Sequence, residues 1–377
     1  MTDGRSGRDR PREPRLRRSV TLHLQGDWGD ANLHRVCGWL ARQVGDRSGP
    51  HTRSAIWTGL GWADNVRAVG CGLVDVALTT PAAFAAAAVH GLGLHAAEFY
   101  PHLRALGTVP QRDRLVVAVD RALGIATFAE LRAAAPALRL ATGPHDGVNH
   151  IGWAAQEILT RSGVPPGAIV EWGGELVDRA HPLDALGALR SDRANAIVHE
   201  AAMTLAWQEV AAARPLAFLA PEPRALDELR QAFGWPDATI PRGYFPGLDA
   251  DLRTLDFSDF LVLARADMPD DLAYLIAWCM GETREALEAG YRHIPPDRSP
   301  VTYPLDPAAM GRTPVPLHPG AAAYYAALPA APTDAAGPAA EEASWRQPSS
   351  TGSSSNADSP SGSPPSGPPP RATPWPR

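Results

Sequence analysis

Along most of this chain, short apolar runs alternate with longer segments in which apolar residues recur three and four positions apart. Val20–Leu24 alternates apolar and polar residues and predicts a strand, whereas Ala31–Val44 has one apolar face at helical spacing and predicts a helix. The helix that Pro269 begins has the same kind of buried stripe. Strands alternating with helices of this length are typical of βαβ units, so the pattern predicts an α/β fold with mostly parallel sheets.

The same pattern places the remaining elements. Further strands are predicted at 55–57, 75–79, 115–119, 138–141, 169–172, 194–199, 216–219 and 260–264. Further helices are predicted at 62–69, 81–90, 127–134, 148–162, 182–189, 202–213 and 224–233.

Both ends of the chain differ from this pattern. Residues 331–377 are rich in Pro, Ser, Gly and Ala, and they have too few large apolar residues to offset the entropy of ordering. Residues 1–18 contain seven arginines and three acidic residues without apolar periodicity. We therefore expect a disordered basic arm at 1–18 and a disordered tail at 331–377, around a body long enough for two domains.

The charged residues exclude several kinds of chemistry. The chain has no lysine, and all 35 of its basic residues are arginines. This excludes a Schiff-base lysine, a pyridoxal-phosphate lysine and a P-loop lysine. The net charge is −6 over the whole chain, and because the arm is positive, the body is more acidic still. An acidic body argues against nucleic acid as a partner.

The cysteines and the N-terminal segment bear on the cellular compartment. Cys37, Cys71 and Cys279 are few, odd in number and set among apolar residues, so we expect buried free thiols rather than a disulfide framework. The segment after the basic arm is too short and too polar for a secretory signal. The chain as written is therefore expected to be cytoplasmic unless its start is misassigned.

Two segments of the C-terminal half carry a family resemblance. The first begins with Gly243-Tyr244-Phe245-Pro246-Gly247 and continues through the strand at Phe260 to Pro269-Asp270-Asp271-Leu272. The second is Val315-Pro316-Leu317-His318-Pro319-Gly320, which an alanine-rich stretch and Tyr324-Tyr325 follow. In this order they resemble the solute-binding receptors of the TAXI branch of TRAP transporters, and the similarity extends from about Val20 to Tyr325.

The resemblance implies a type II periplasmic-binding-protein-like fold, in which two α/β lobes are joined by a hinge of two crossing strands. The first crossing would lie near 112–119 and the second near 258–264. Lobe one would contain residues 19–112 plus 259–330, and lobe two residues 113–258. The ligand of such a receptor lies in the cleft between the lobes.

Two loops that would face the cleft depart from the family pattern. The family usually has a glycine-rich loop after its first strand, and here that loop is Gly26-Asp27-Trp28-Gly29-Asp30. The family usually opens the first helix of lobe two with a Ser-Gly-Thr turn, and here that turn is His145-Asp146-Gly147-Val148-Asn149. These two departures concern the ligand that the resemblance implies and not the fold.

The candidate site residues follow from where ligands bind in such folds, beyond the carboxyl ends of the strands and facing helix N-termini. Asp27 and Asp30 would repel an anion but hold an amine, or they form a turn and cap a helix. Thr79 and Thr80 would donate hydroxyl groups to an anion, or Thr80 is an ordinary N-cap. The full ligand-binding set is Asp27, Trp28, Asp30, Trp62, Thr79, Thr80, His145, Asp146, Asn149, His199, Glu200 and Tyr244.

Other interpretations of these residues stay open. Trp28 and Trp62 form either an aromatic cleft wall or part of the core. The spacing of His145, Asp146 and His150 does not match a zinc site. Tyr244 either closes over the ligand or belongs to a rigid turn. His199 and Glu200, at the end of a strand, form either an acid/base pair or a hydrogen-bonded cleft wall.

The sequence therefore favours a solute-binding receptor that captures a small polar organic acid or amino acid by closure of two lobes, with no cofactor and no metal. The partner implied by the resemblance is a TRAP-type membrane permease. The alternative is a cytoplasmic enzyme or sensor on the same scaffold, with His199 and Glu200 or His145 and Asp146 as acid and base.

Overall fold

The computed structural model describes residues 11–29, 31–201 and 204–329, all within one compact unit of the chain. The strands are β1 (Thr21–Gln25), β2 (Arg53–Trp57), β3 (Val76–Thr79), β4 (Leu103–Val109), β5 (Leu115–Asp120), β6 (Arg139–Thr142), β7 (Glu175–Asp178), β8 (Ala196–Glu200), β9 (Leu216–Phe218), β10 (Asp237–Ile240), β11 (Leu252–Leu255) and β12 (Phe260–Arg265).

Helices cover these strands in both halves of the fold. They are α1 (Asn32–Gly45), α2 (Ala63–Gly70), α3 (Ala85–His90), α4 (Phe128–Ala134), α5 (His150–Arg161), α6 (Pro166–Glu171), α7 (Pro182–Arg190), α8 (Thr204–Ala213), α9 (Pro223–Phe233), α10 (Asp270–Glu282), α11 (Arg284–Glu288), α12 (Pro307–Met310) and α13 (Pro319–Ala326).

The two larger sheets have the same topology. The first sheet has the strand order β2-β1-β3-β12-β4, and the second has the order β7-β6-β8-β5-β9. In the first sheet, β12 is antiparallel to its neighbours β3 and β4. In the second sheet, β5 is antiparallel to its neighbours β8 and β9. Each of these two strands follows a crossing from the other lobe. The predicted α/β fold with two lobes and two crossing segments is confirmed.

The two crossings run side by side between the sheets. Residues 110–114 connect β4 to β5, and residues 256–259 connect β11 to β12. The backbone N–H of Phe257 donates to the carbonyl of Asp113 at 3.1 Å, and the guanidinium of Arg114 donates to the carboxylate of Asp256 at 2.9 Å. The hinge is therefore a hydrogen-bonded pair of strands and not two independent linkers.

One predicted strand is wrong. Residues 169–172 were expected to be extended, but they lie at the end of α6 and in the turn after it. Pro166 occupies the first helical position, where its missing N–H and fixed φ suit a helix. A short apolar run does not distinguish a strand from a buried helical turn, and here only Ile169 faces the core while Val170 is exposed.

Part of the predicted N-terminal arm packs against lobe one. Residues 11–18 lack regular secondary structure, yet they contact lobe one: the indole of Trp278 donates to the carbonyl of Pro11, and Arg18 pairs with Asp271. The expected loose arm at 1–18 is therefore corrected for this stretch. Residues 1–10 and the tail predicted to be disordered at 331–377 lie outside the described residues.

The two lobes share one apolar cluster. Phe84, which follows β3 in lobe one, is fully buried among aromatic residues of lobe two. Its ring stacks on that of Trp235 with centroids 3.9 Å apart, and the rings of Phe257 and Trp153 meet it edge-on at 5.1 and 5.4 Å. We call Phe84, Trp153, Trp235 and Phe257 the interlobe aromatic cluster. It fixes how the lobes face each other at one side of the cleft.

We predict that Phe84→Ala lowers the free energy of unfolding by about 3–5 kcal/mol, because it leaves a cavity between two packed lobes. Denaturant unfolding measures the change. The matched control is Phe99→Ala, because the Phe99 side chain is 58% exposed and its truncation removes little packing. Equal stability losses for the two variants would show that the interlobe aromatic cluster does not hold the lobes.

Candidate ligand-binding cleft

A cavity of about 470 Å³ lies between the two lobes. This volume is within the usual range of small-molecule sites. Lobe one and the segment after β12 contribute Asp27, Trp28, Ala31, Asn32, Leu33, Arg35, Leu60, Trp62, Thr80, Gln111, Phe260, Ile294, Arg298 and Pro300, and lobe two contributes His181, Pro182, Leu183, Glu200, Leu205, Ala206 and Glu209.

The loop after β1 brings Asp27 to this cavity. The buried carboxylate of Asp27 accepts hydrogen bonds from the backbone N–H groups of Leu33 and His34, at 2.9 and 3.0 Å, in the first turn of α1. Gly26 permits this approach, since a Cβ there would lie 2.8 Å from the Cα of His34. Asp27 therefore caps the helix whose N-terminus would otherwise attract an anion. Asp30, also predicted here, lies outside the described residues.

Aromatic rings form one wall of the cavity. Trp62 is buried and Trp28 is half-buried, and their rings meet edge-on with centroids 5.3 Å apart. Across the cleft, the ring of His181 lies 5.0 Å from that of Trp28. Trp28 and Trp62 therefore line the cavity without filling it. Trp62 also belongs to the apolar core of lobe two, so both interpretations of that residue hold.

The two predicted threonines differ in position. The hydroxyl of Thr79 is fully buried and donates to the carbonyls of Gly61 and Trp62, so it does not line the cavity. Thr80 does line it, and its hydroxyl accepts a hydrogen bond from the side-chain amide of Gln111 at 3.1 Å. Thr80 also binds lobe two, because its carbonyl lies 2.9 Å from Nδ1 of His150.

The loop before α5 does not contribute to the cavity lining. His145 and Asp146 are exposed, and the carboxylate of Asp146 accepts from the backbone N–H groups of Val148 and Asn149 within its own turn. Asn149 is the N-cap of α5, where its side-chain oxygen accepts from Gly152 at 2.9 Å. Asp146 and Asn149 therefore have structural roles in this conformation, and the prediction that these two residues and the exposed His145 contact ligand gains no support from the cavity.

The side chains of His199 and Glu200 lie in different surroundings. The ring of His199 is fully buried, with Nε2 3.3 Å from the carbonyl of Arg179 and Nδ1 accepting from the backbone of Glu200. Burial lowers the pKa of His199 to about 4, so this ring is neutral near pH 7. Glu200 lines the cavity, whereas His199 does not. They do not form an acid/base pair that faces a common substrate.

The carboxyl group of Glu200 lies on the cavity surface, in surroundings that favour its protonated form. Burial, and then the charge of Asp27 from the other lobe, raise the pKa of Glu200 to about 7. Behind it, Asp113 is fully buried at the hinge, where burial and then the charge of Glu200 raise the pKa of Asp113 well above its usual range. Burial also raises the pKa of Asp27. The inner end of the cavity is therefore crowded with carboxyl groups.

Tyr244 connects the lobes beside the cavity. Its hydroxyl donates to the carbonyl of Asp297 at 2.8 Å, and the guanidinium of Arg298 lies 4.2 Å above its ring. Arg298 also donates to the carbonyl of Tyr244 at 2.7 Å and lines the cavity itself. Tyr244 does not line the cavity itself, so the prediction that it contacts ligand gains no support from the cavity, whereas Arg298, which packs on its ring, does line it.

Sequence reasoning missed Gln111, His181 and Arg298 as residues of the cavity. Gln111 lies at the hinge, His181 is the N-cap of α7, and Arg298 lies in an irregular segment between α11 and α12. Gln111 directly precedes the first predicted crossing at 112–119, and this position was a usable signal. Nothing in the local pattern marks the other two.

A second, more open depression of about 840 Å³ lies on lobe two alone. Its arginines are already paired: Arg132 with Glu222, Arg161 with Glu157 and Arg224 with Glu228. The smaller interlobe cavity is the better candidate site because it is more enclosed and contains buried polar groups without partners.

Two of the three cysteines are buried. Cys37 and Cys279 are buried and free, as expected, but Cys71 is exposed because it lies in the turn that ends α2. Among the described residues, no group of three or more His, Cys, Asp or Glu side chains is arranged to hold a metal ion. None of the helices in that part of the chain is long and apolar enough to cross a bilayer.

Two α/β lobes with corresponding strand orders thus line one cavity between them. The chain belongs to the NMT1-like family, which matches residues 49–326. The family match agrees with the periplasmic-binding-protein-like fold that the resemblance implied, but it does not assign the chain to the TAXI branch. No curated protein matches this chain.

Solved structures show a distant similarity. A TctC solute-binding protein from Polaromonas is 16% identical, with 81% of this chain and 96% of that chain covered and a TM-score of 0.44. PhnD1 from Prochlorococcus marinus, in complex with methylphosphonate, is 11% identical, with 67% and 79% covered and a TM-score of 0.41. The substrate-binding protein of an amino acid ABC transporter is 12% identical, with 72% and 96% covered and a TM-score of 0.38. At these values the similarity does not identify a ligand for this chain.

We predict that Glu200→Gln stabilises the unliganded protein increasingly as the pH rises from about 4.5 to 7. The folded-state pKa of Glu200 lies above its unfolded value, so the folded wild type binds more protons in this window and loses stability as the carboxyl ionises. The slope of the difference is at most about 1.4 kcal/mol per pH unit. Thermal unfolding at several pH values measures it.

The control for this experiment is Glu171→Gln, which removes an exposed carboxylate at the end of α6. We expect this variant to differ little in stability from the wild type, because the carboxylate is exposed to solvent. A stability difference for Glu200→Gln that does not change with pH would contradict the burial of an ionisable group at the cavity.

Proposed function

We propose that this protein is a solute-binding receptor that holds one small polar organic molecule, an organic acid or an amino acid, in the interlobe cavity. The observation that carries the proposal is the cavity itself: it takes its lining from both lobes and combines aromatic walls with buried polar groups. Such a site favours a ligand with an apolar body and a few polar groups.

Contacts beside the cavity suggest how it opens. The Trp28–His181 ring contact and the Arg298–Tyr244 contact each join the two lobes, and three of these residues line the cavity. The interlobe aromatic cluster does not line it. We propose that ligand entry breaks the contacts around the cavity and bends the paired crossings at the hinge, while the aromatic cluster stays packed.

The resemblance to TAXI receptors supports a further step, in which the receptor delivers its ligand to a TRAP-type membrane permease outside the cytoplasm. The alternative is a cytoplasmic enzyme or sensor on the same scaffold. The acid/base groups suggested for an enzyme do not converge, because His199 is engaged by backbone groups and His145 and Asp146 lie on an exposed turn. The geometry therefore favours binding without chemistry.

Incubation of the purified protein with an extract of small metabolites separates these functions. A receptor retains a compound of unchanged mass, and the melting temperature rises with the concentration of that compound. Mass spectrometry of the retained fraction and of the remaining extract measures both outcomes. Loss of one metabolite with the appearance of a product would support the enzyme and contradict the receptor.

We predict that Trp28→Ala weakens binding of the retained compound at least tenfold, because it removes half-buried aromatic surface from the cavity wall. The matched control is Trp57→Ala at the end of edge strand β2, where the side chain is 55% exposed and outside the cavity lining. Titration calorimetry measures both variants. Equal affinities would place the ligand elsewhere.

A further inference from the structure

The inner end of the interlobe cavity contains a buried acceptor without a donor. Gln111 is only 3% exposed and lines the cavity. Its amide nitrogen donates to Thr80, and its backbone N–H donates to the carboxylate of Asp259 at 3.0 Å. Its side-chain oxygen has no hydrogen-bond partner among the described residues. A buried acceptor of this kind is costly unless a ligand or water satisfies it.

Glu200 presents a second acceptor to the same cavity. It is 8% exposed, and no residue in the described part of the chain donates a hydrogen bond to its carboxylate. Asp27 adds negative charge from the opposite lobe. Both oxygens of Asp27 accept backbone N–H groups of α1, but no arginine in the described ranges pairs with it. Two buried carboxyl groups thus face one space, and neither is paired with an arginine of the described residues.

The positive charges on the cavity are in different positions. Arg35, on α1, lines the cavity with an exposed side chain. Arg298 is held by the carboxylate of Asp297 at 3.0 Å and by the ring and carbonyl of Tyr244. Glu209, on α8, is exposed at the rim as well. Acceptors therefore occupy the buried end of the cavity, whereas its positive charges belong to the exposed Arg35 and to Arg298, which is already paired with Asp297.

We propose that the ligand of this receptor carries a protonated primary amine and binds amine-first, with its ammonium group between the carboxylate of Glu200 and the side-chain oxygen of Gln111. The inference rests on the proposed receptor function and names the ligand class of that site. An ammonium group has three donors, which match Glu200, Gln111 and the remaining lone pairs of Asp27. If the ligand also has a carboxylate, that group faces the arginines at the rim.

The charge balance agrees with this geometry. A cation placed between Asp27 and Glu200 relieves their mutual repulsion and favours the ionised form of Glu200, whose pKa burial raises. An organic acid without an amine would instead bring a further negative charge to groups that already repel one another. The site thus favours an amine by attraction and disfavours an organic acid without an amine by repulsion.

Four five-carbon probes test the proposal by titration calorimetry at pH 8: 1,5-diaminopentane, 1-aminopentane, 5-aminopentanoate and pentanedioate. We expect the three amines to bind at least tenfold more tightly than pentanedioate. Equal or tighter binding of pentanedioate would overturn the amine-first orientation but leave the receptor function standing, because a small solute still occupies the protein.

The Glu200→Gln variant gives a second readout. It keeps the shape of the side chain and removes its charge, and we expect it to weaken binding of the amines at least tenfold. Glu171→Gln, which changes an exposed carboxylate outside the cavity lining, is expected to bind them as the wild type does. Equal affinities for the two variants would overturn the proposal.

The compound retained from a metabolite extract decides the case in which no probe binds. A retained compound with a primary amine supports the proposal, and one without an amine overturns it while the receptor function survives. If the protein retains nothing and binds no probe, both the ligand class and the receptor function are contradicted.

Discussion

The structure depends on the insertion of one lobe-one side chain, Phe84, into the aromatic core of lobe two. The ring stacks on Trp235 and meets Phe257 and Trp153 edge-on, so the lobes share apolar surface that neither could bury alone. Two crossing strands by themselves would leave the lobes free to rotate. The packed cluster holds the lobes together at one side of the cavity, and the Trp28–His181 and Arg298–Tyr244 contacts are the ones that can break when the cavity opens.

The cavity is useful because its two ends differ. Its inner end has buried acceptors, with Gln111 and Glu200 lacking donors, and its edge has arginines and apolar side chains. Asp27 has two roles here, since it caps α1 and also places a negative charge opposite Glu200. A helix N-terminus that would attract an anion is thus converted into part of a site that favours a cation.

Much of the fold could be predicted from the alternation of apolar runs and helical faces, but the site only in part, because predicted residues such as Trp28 and Glu200 line the cavity whereas Gln111, His181 and Arg298 were missed. Periodicity indicated most strands and helices, yet it misread the turn of helix at Ile169, and it missed β4, where Gly107 interrupts the run. The signature around His318 has a packing role: its backbone N–H bonds to Ala105 of β4, and its ring caps α13. Cavity residues such as Arg298 lie in irregular segments that only tertiary packing brings to the cleft.

The central claim is that a small solute binds between the lobes while the interlobe aromatic cluster stays packed. A crystal structure of the protein with its bound compound tests this most directly. We expect electron density for the compound in contact with Trp28 and Glu200, and a centroid distance between the Phe84 and Trp235 rings that stays near 3.9 Å. A compound bound on the surface of one lobe, or a cluster pulled apart around it, would contradict the account.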